Sequence, residues 1–127
     1  SQKTLKSFFN EIKKIKIKLI SLLKKIKKRG QTIHGYGAST KGNVLLQYFG
    51  IDKFFIDYIS ERNPLKYGLY TPGTKIEIIS EEKSRKIKPN FYLVLPWHFK
   101  KEILSREKNI RTKGTKFIFP LPKIKIH

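Results

Sequence analysis

Residues 31–43, Gln-Thr-Ile-His-Gly-Tyr-Gly-Ala-Ser-Thr-Lys-Gly-Asn, join a short apolar run to paired glycines and then a lysine. The pattern reads as a strand, a loop the size of a phosphate and the start of a helix. Gly35 and Gly37 can take backbone angles closed to other residues and let a ligand approach the main chain. Ser39 or Thr40 can cap the helix behind them, and a helix N-terminus suits an anion. The Lys41 ammonium lies one turn in, where it can reach a diphosphate held by main-chain amides, although a solvated surface lysine is the plain alternative. The candidate ligand set on the loop is Tyr36, Gly37, Ala38, Ser39, Lys41, Gly42 and Asn43. The usual dinucleotide fingerprint has a third glycine three residues after the second. Here that place is Thr40 and the next glycine is Gly42, so the loop is a variant that does not name its ligand.

Three further positions extend the candidate site. Glu61 falls at the expected tip of the second strand, where an acid commonly accepts hydrogen bonds from ribose hydroxyls. Asp57, 22 residues after Gly35, competes for that role but lies inside the strand if the strand runs to Ile59. Trp97, the one tryptophan, follows Pro96 at a strand end, where its face can cover a base or a sugar. His98 can serve as acid, base or phosphate donor and is the one candidate catalytic residue, with a structural loop histidine as the alternative. Lys66 joins the binding candidates through the segment Glu61–Lys66. His34, His98 and His127 show neither metal-ligand spacing nor a nucleophilic triad, so no metal site is expected.

The elements that position these residues alternate. Leu5, Phe8, Ile12, Ile15, Leu19, Leu22 and Ile26 recur at intervals of three and four and make one stripe on a helix, with lysines filling much of the rest and Gly30 ending it. Phe9, Ile20 and Leu23 widen the stripe beyond a coiled-coil seam, so residues 1–30 are expected to pack on the domain that follows. After the glycine loop, Asn43 to Tyr48 reads as helix, Gly50 stops it, and the aromatic run Lys53 to Ile59 reads as strand. A turn at Glu61–Pro64 and an irregular segment at Tyr67–Thr74 precede the short run Ile76 to Ile79. Ser80-Glu81-Glu82 opens a helix, Phe91 to Leu95 is a strand, Lys100 to Arg111 a helix, and Thr115 to Phe119 the last buried strand, with Pro120 and Pro122 closing the domain. Short apolar strands between helices imply an α/β fold, a mostly parallel sheet with helices on both faces and a long basic helix in front. Such sheets bind ligands beyond the carboxyl ends of their strands.

Composition narrows the classes. The chain has 127 residues, 29 Lys+Arg against 9 Asp+Glu and a net charge of +20. The first 29 residues hold eleven of the basic residues against the single Glu11. That field attracts anions, although a composition rich in lysine and isoleucine also follows from nucleotide bias. There is no cysteine for a disulfide, a thiolate metal site or a nucleophile. No apolar run approaches the ~18 residues of a membrane span and no signal peptide opens the chain, so a cytoplasmic protein with no membrane partner is expected. A start at Ser1 without methionine suggests a piece of something longer.

Four segments occur in order with suitable intervals: Gly35–Asn43, Asn63-Pro64-Leu65-Lys66-Tyr67-Gly68, Tyr70-Thr71-Pro72-Gly73-Thr74 and Leu95-Pro96-Trp97-His98-Phe99. Together they make the chain resemble the C-terminal domain of S-adenosylmethionine-dependent sugar C-methyltransferases, from about Leu5 to Pro122. The resemblance implies a Rossmann-like domain over residues 31–127 that helps bind a nucleoside-diphosphate sugar. It also implies a parent enzyme with a zinc-binding region and a central methyl-donor domain, in the same or another chain. The strand before Gly35 ends in Ile33-His34 without the acid that introduces a methyl-donor loop, and no cysteine is present for zinc. The resemblance therefore implies that S-adenosylmethionine and zinc belong to the parent enzyme, that this domain binds no cofactor, and that it is inactive alone.

Two other readings compete. One is a non-enzymatic basic module gripping nucleic acid, which interleaved arginines and aromatics on one face would favour. Here arginine is scarce and lysine is spread along the chain, so nucleic acid is the weaker expectation. The other is a fragment of an NAD-dependent oxidoreductase, which the imperfect glycine fingerprint and the lack of a catalytic Tyr-Lys set disfavour.

Overall fold

In the computed structural model, which describes residues 2–127, the apolar stripe of the N-terminal segment folds as α1 (Gln2–Lys28), and its two halves fare differently. Ile15, Leu19, Leu23 and Ile26 are buried in the main apolar core, each contributing about 1.5–3 kcal/mol. Leu5, Phe8 and Phe9 are 56%, 58% and 52% exposed. The C-terminal half of the stripe is thus what holds the helix down.

Beyond Gly30 the chain runs through β1 (Ile33–Tyr36), α2 (Thr40–Phe49), β2 (Tyr58–Glu61), β3 (Glu77–Ser80), α3 (Glu81–Ile87) and β4 (Phe91–Val94). Then come α4 (Lys100–Arg106), α5 (Lys108–Thr112), β5 (Lys116–Phe119) and β6 (Lys125–Ile126). The strands form one sheet in the order β3-β2-β1-β4-β5-β6, parallel except for β6, which runs antiparallel to β5. From β1 the chain builds outward through β2 and β3, then returns to lay β4 on the other side of β1. The β1/β4 boundary is therefore the point where strand order reverses, the place where open α/β sheets leave a crevice.

Successive side chains point to opposite faces. Ile33, Ile59, Leu93 and Ile118 pack against α1 and α2. Tyr36, Tyr92, Val94, Phe117 and Phe119 pack with Ile103 of α4 and Ile110 of α5. The second face also carries polar groups, since the imidazole Nδ1 of buried His34 lies 2.7 Å from Ser84 Oγ of α3, which lies 2.6 Å from the Tyr92 hydroxyl.

Three elements depart from the sequence reading. The run Lys53 to Ile59 is a strand only from Tyr58, because Asp52 turns the chain first: its Oδ1 accepts from the Phe54 amide at 2.9 Å and its carbonyl accepts from the Phe55 and Ile56 amides. An aspartate side chain mimicking a backbone turn overrides the β-propensity of the aromatics. Asp57 therefore sits before the strand, at its amino end, with its carboxylate 3.8 Å from Lys27 Nζ and away from the candidate site. The expected single helix Lys100 to Arg111 breaks at Glu107 into α4 and α5. Finally, Pro120 and Pro122 do not close the domain: the chain reverses and adds β6 to the sheet edge.

Candidate functional site

At the carboxyl end of β1 the chain climbs through Gly37 (φ +91°), whose amide donates to the Ser60 carbonyl of β2 at 2.9 Å. A Cβ there would lie 3.1 Å from Pro96 Cδ, so this left-handed position at the strand reversal needs glycine on both counts. The next residue is clamped from both sides. The Ala38 amide donates to Glu61 Oε1 at 2.9 Å, and Lys66 Nζ donates to the Ala38 carbonyl at 2.9 Å. The other Glu61 oxygen accepts from the Asn63 amide at 2.8 Å. Burial alone would raise the Glu61 carboxyl, but the Asn63 and Ala38 amides and the Lys66 ammonium outweigh it and hold the group below its ordinary value.

Ser39 then caps α2, its hydroxyl accepting from the Gly42 amide at 3.0 Å. Gly42 does the packing work of the displaced third glycine: a Cβ on it would fall 2.8 Å from Leu95 Cβ, so α2 rests directly on the end of β4. Asn43 faces the Tyr70–Thr74 segment, with Nδ2 donating to the Pro72 carbonyl at 2.9 Å and Oδ1 accepting from Thr74 at 2.6 Å. Gln47 donates to the same carbonyl at 2.9 Å, so that segment buttresses α2. Lys41 is exposed in the first turn of α2. The first amides of a helix, here those of Thr40 and Lys41, have no intrahelical acceptor.

On the opposite side of Gly37 a cleft of about 380 Å3 opens between the ends of β1, β2 and β4 and the α4 helix. Tyr36, Glu61, Arg62, Glu81, Phe99 and Arg106 are among its walls. Behind the wall lies an ion network. Arg106 Nη2 donates to Glu81 Oε2, and Glu81 Oε1 stands 3.9 Å from Arg85 and 4.0 Å from Arg62. Glu107, its side chain only 2% exposed, accepts from Arg85 at 3.0 and 2.8 Å and from the Tyr36 hydroxyl at 2.7 Å. Burial would raise the Glu107 carboxyl, but the Arg85 and Tyr36 hydrogen bonds hold it low. Burial and then that carboxylate push the Tyr36 phenol far above its ordinary range. The break between α4 and α5 falls on the residue that this network draws inward.

A family model described as the C-methyltransferase C-terminal domain matches residues 1–122. The chain belongs to that family. It is similar to the C-methyltransferase NovU of Streptomyces niveus, with 32% identity over 121 residues. That match covers 95% of this chain and 29% of the relative, so the chain spans under a third of that protein's length.

In this C-methyltransferase domain the remaining candidates occupy other ground. Trp97 stands in a 3-10 turn after β4, half-buried in a separate groove of about 730 Å3 formed with Phe8, Ile12 and Ile15 of α1 and with Phe119 and Leu121. His98 is exposed beside it, the two ring centroids 4.6 Å apart. Lys41, Glu61 and Trp97 all follow parallel strands at one edge of the sheet. Only Glu61, with Tyr36 and Gly37, lines the cleft, while Ala38–Asn43 and Lys66 build the loop beside it. Among the described residues no group of three or more His, Asp or Glu is placed to hold a metal ion, and no helix is long and apolar enough to cross a membrane.

Sequence reading reached Arg62 and Phe99 only as members of the segments Glu61–Lys66 and Trp97-His98-Phe99, and it passed over Glu81, Arg85, Arg106 and Glu107 as site residues. One signal was available. Only five of the 29 basic residues are arginine, and three of those five meet in this network, as the planar fork of arginine suits paired carboxylates.

Proposed function

We propose that this chain is the substrate-side domain of a S-adenosylmethionine-dependent methyltransferase acting on a nucleoside-diphosphate sugar. The diphosphate lies over Gly37 and the first turn of α2, where the Thr40 and Lys41 amides and the Lys41 ammonium meet its oxygens, with Ser39 and Asn43 at the margins. Each Glu61 oxygen takes one amide and keeps further acceptor capacity toward the cleft, where a ribose hydroxyl can donate. The observation that carries this reading is the placement of the capped helix start and the cleft on the two sides of one glycine, at the reversal of strand order.

The methyl donor belongs elsewhere in the parent protein. β1 brings Ile33-His34 and no acid to the glycine loop, so the feature that introduces a methyl-donor loop is missing there. The domain alone is on this reading inactive, with its proton-transfer partners outside it and His98 as its own candidate hydrogen-bond donor. A cysteine-free chain needs no oxidising compartment, and we place the protein in the cytoplasm.

Calorimetric titration tests the reading. A nucleoside diphosphate should bind weakly and S-adenosylmethionine not at all. Tight binding of S-adenosylmethionine with no nucleotide response would overturn it.

A further inference from the structure

The N-terminal half of α1 carries more apolar surface than its own domain covers. Phe8, Phe9 and Ile12 lie three, four and seven residues beyond Leu5 and share its side of the helix, and Leu5, Phe8 and Phe9 are each more than half exposed. The buried residues of α1 begin at Ile15, so about 20 Å of helix runs past the last full anchor. Phe8, Ile12 and Ile15 line the groove of about 730 Å3 that Trp97, Phe119 and Leu121 complete. A helix at a lipid surface lays its apolar face flat on the bilayer. Here that face borders a hollow, which calls for an occupant that projects into it.

The polar margin of the groove is basic. Lys100, Lys123 and Lys125 border it against Glu11, and Glu11 is itself 3.5 Å from Lys14 Nζ. A second copy of this chain would bring the same lysines and another +20 to the contact, which opposes self-association. Charge complementarity asks instead for an acidic polypeptide surface with apolar side chains standing out of it. The chain covers 29% of its relative and matches a domain described as C-terminal, so more than two thirds of such a protein lies outside the domain and reaches it through α1.

We infer that the N-terminal half of α1 and the groove beside Trp97 are the seat on which the preceding part of the parent protein docks, through an acidic surface that projects apolar side chains between Phe8 and Trp97. Trp97 follows the carboxyl end of β4, so the seated part stands at the same edge of the sheet as Gly37 and the start of α2. The inference uses the reading above only for the existence of a larger parent and is independent of what the glycine loop binds. Hydrogen exchange tests it, in this chain alone and in the parent protein. Amides of residues 19–26 should be protected in both, whereas those of residues 5–14 should exchange at least about tenfold more slowly in the parent. Phe8→Glu with Phe9→Glu should leave the thermal midpoint of this chain within about 2 °C, since both rings are exposed, yet abolish the added protection in the parent. Lys123→Glu with Lys125→Glu should do the same by repelling an acidic partner. Equal exchange of residues 5–14 in chain and parent, or added protection that survives the phenylalanine substitutions, would overturn the seat. Protection that survives the lysine reversals would overturn the acidic partner. Protection of the same amides in this chain alone, on raising its concentration or on adding phosphatidylglycerol vesicles, would give the groove to a second copy or to lipid and overturn the inference. None of these outcomes touches the nucleotide titration, which decides the functional reading separately.

Discussion

On the α2 side of Gly37 the polar groups are settled against the backbone: Ala38 by Glu61 and Lys66, Gly42 by Ser39, Pro72 by Asn43 and Gln47. On the α4 side they are settled side chain to side chain, through Glu81 with Arg106 and through Glu107 with Arg85 and Tyr36. Main-chain bonds fix the path of a loop but leave exposed whatever the helix start does not use. Side-chain networks leave the path to the helices and set the charge and shape of a cavity. The glycine loop is thus largely self-satisfied scaffold with one open helix start, and the adjoining cleft is where recognition of a shape can reside.

Four experiments put this contrast at risk. The largest effect is expected from Glu107→Ala, which strands the buried Tyr36 hydroxyl and strips Arg85 of its main partner. Stability should fall by about 4 kcal/mol, discounted for the part of Arg85 that reaches water, and the thermal midpoint by more than about 10 °C. A drop under about 3 °C would show the network to be ornamental to folding.

Next comes acid sensitivity, which should sit on the cleft face. Burial lowers His34 from its ordinary 6.5 to about 4, with the Asp57 carboxylate opposing, and its Nε2 has no hydrogen-bond partner among the described residues. Between those values the unfolded chain binds the extra proton, so the His34 contribution is complete above about pH 6.5 and is lost as pH falls toward 4. The loss should approach about 3 kcal/mol at the bottom of that window. Glu61 and Glu107, both held low, keep their contributions down to about pH 4.5, so their loss begins only at the bottom of the window and is shared by wild type and a His34 variant. Urea unfolding at pH 7 and pH 4 should show this loss in wild type and little of it in His34→Gln. Equal acid losses in the two proteins would place the sensitivity elsewhere.

On the loop side, Glu61→Ala orphans the Ala38 and Asn63 amides and removes the partner charge of Lys66, at a cost of about 2 kcal/mol in denaturant unfolding. An unchanged midpoint would mean that water replaces the carboxylate at both amides. The smallest effect is Lys41→Ala: binding of pyrophosphate should weaken by about 1–2 kcal/mol while stability stays within about 0.5 kcal/mol. A stability loss without a binding loss would move Lys41 from the open helix start into the scaffold.

The local devices were legible in the residue order. Ser39 and Ser80 cap the helices where their positions suggest, Gly50 ends α2, and the apolar runs at Ile33, Phe91–Leu95 and Thr115–Phe119 become β1, β4 and β5 within a residue or so. The stripe of α1 was legible too, but not which half of it the core would use. The aromatic run at Lys53–Ile59 misled because one side-chain bond from Asp52 outweighed several residues of β-propensity.

What the residue order determined by itself is what depends on neighbours three or four positions away: helix stripes, caps, the glycine turn, the alternation that implies a parallel sheet, and the family those motifs resemble. Which distant groups meet depends on how the sheet is assembled. Arg106 reaches Glu81 and Arg85 reaches Glu107 because β4 is laid beside β1 and brings α3 and α4 to the same face. No periodicity records that encounter. An ion pair between residues more than twenty positions apart depends on strand order and crossover, so the cleft became visible only when the sheet was assembled.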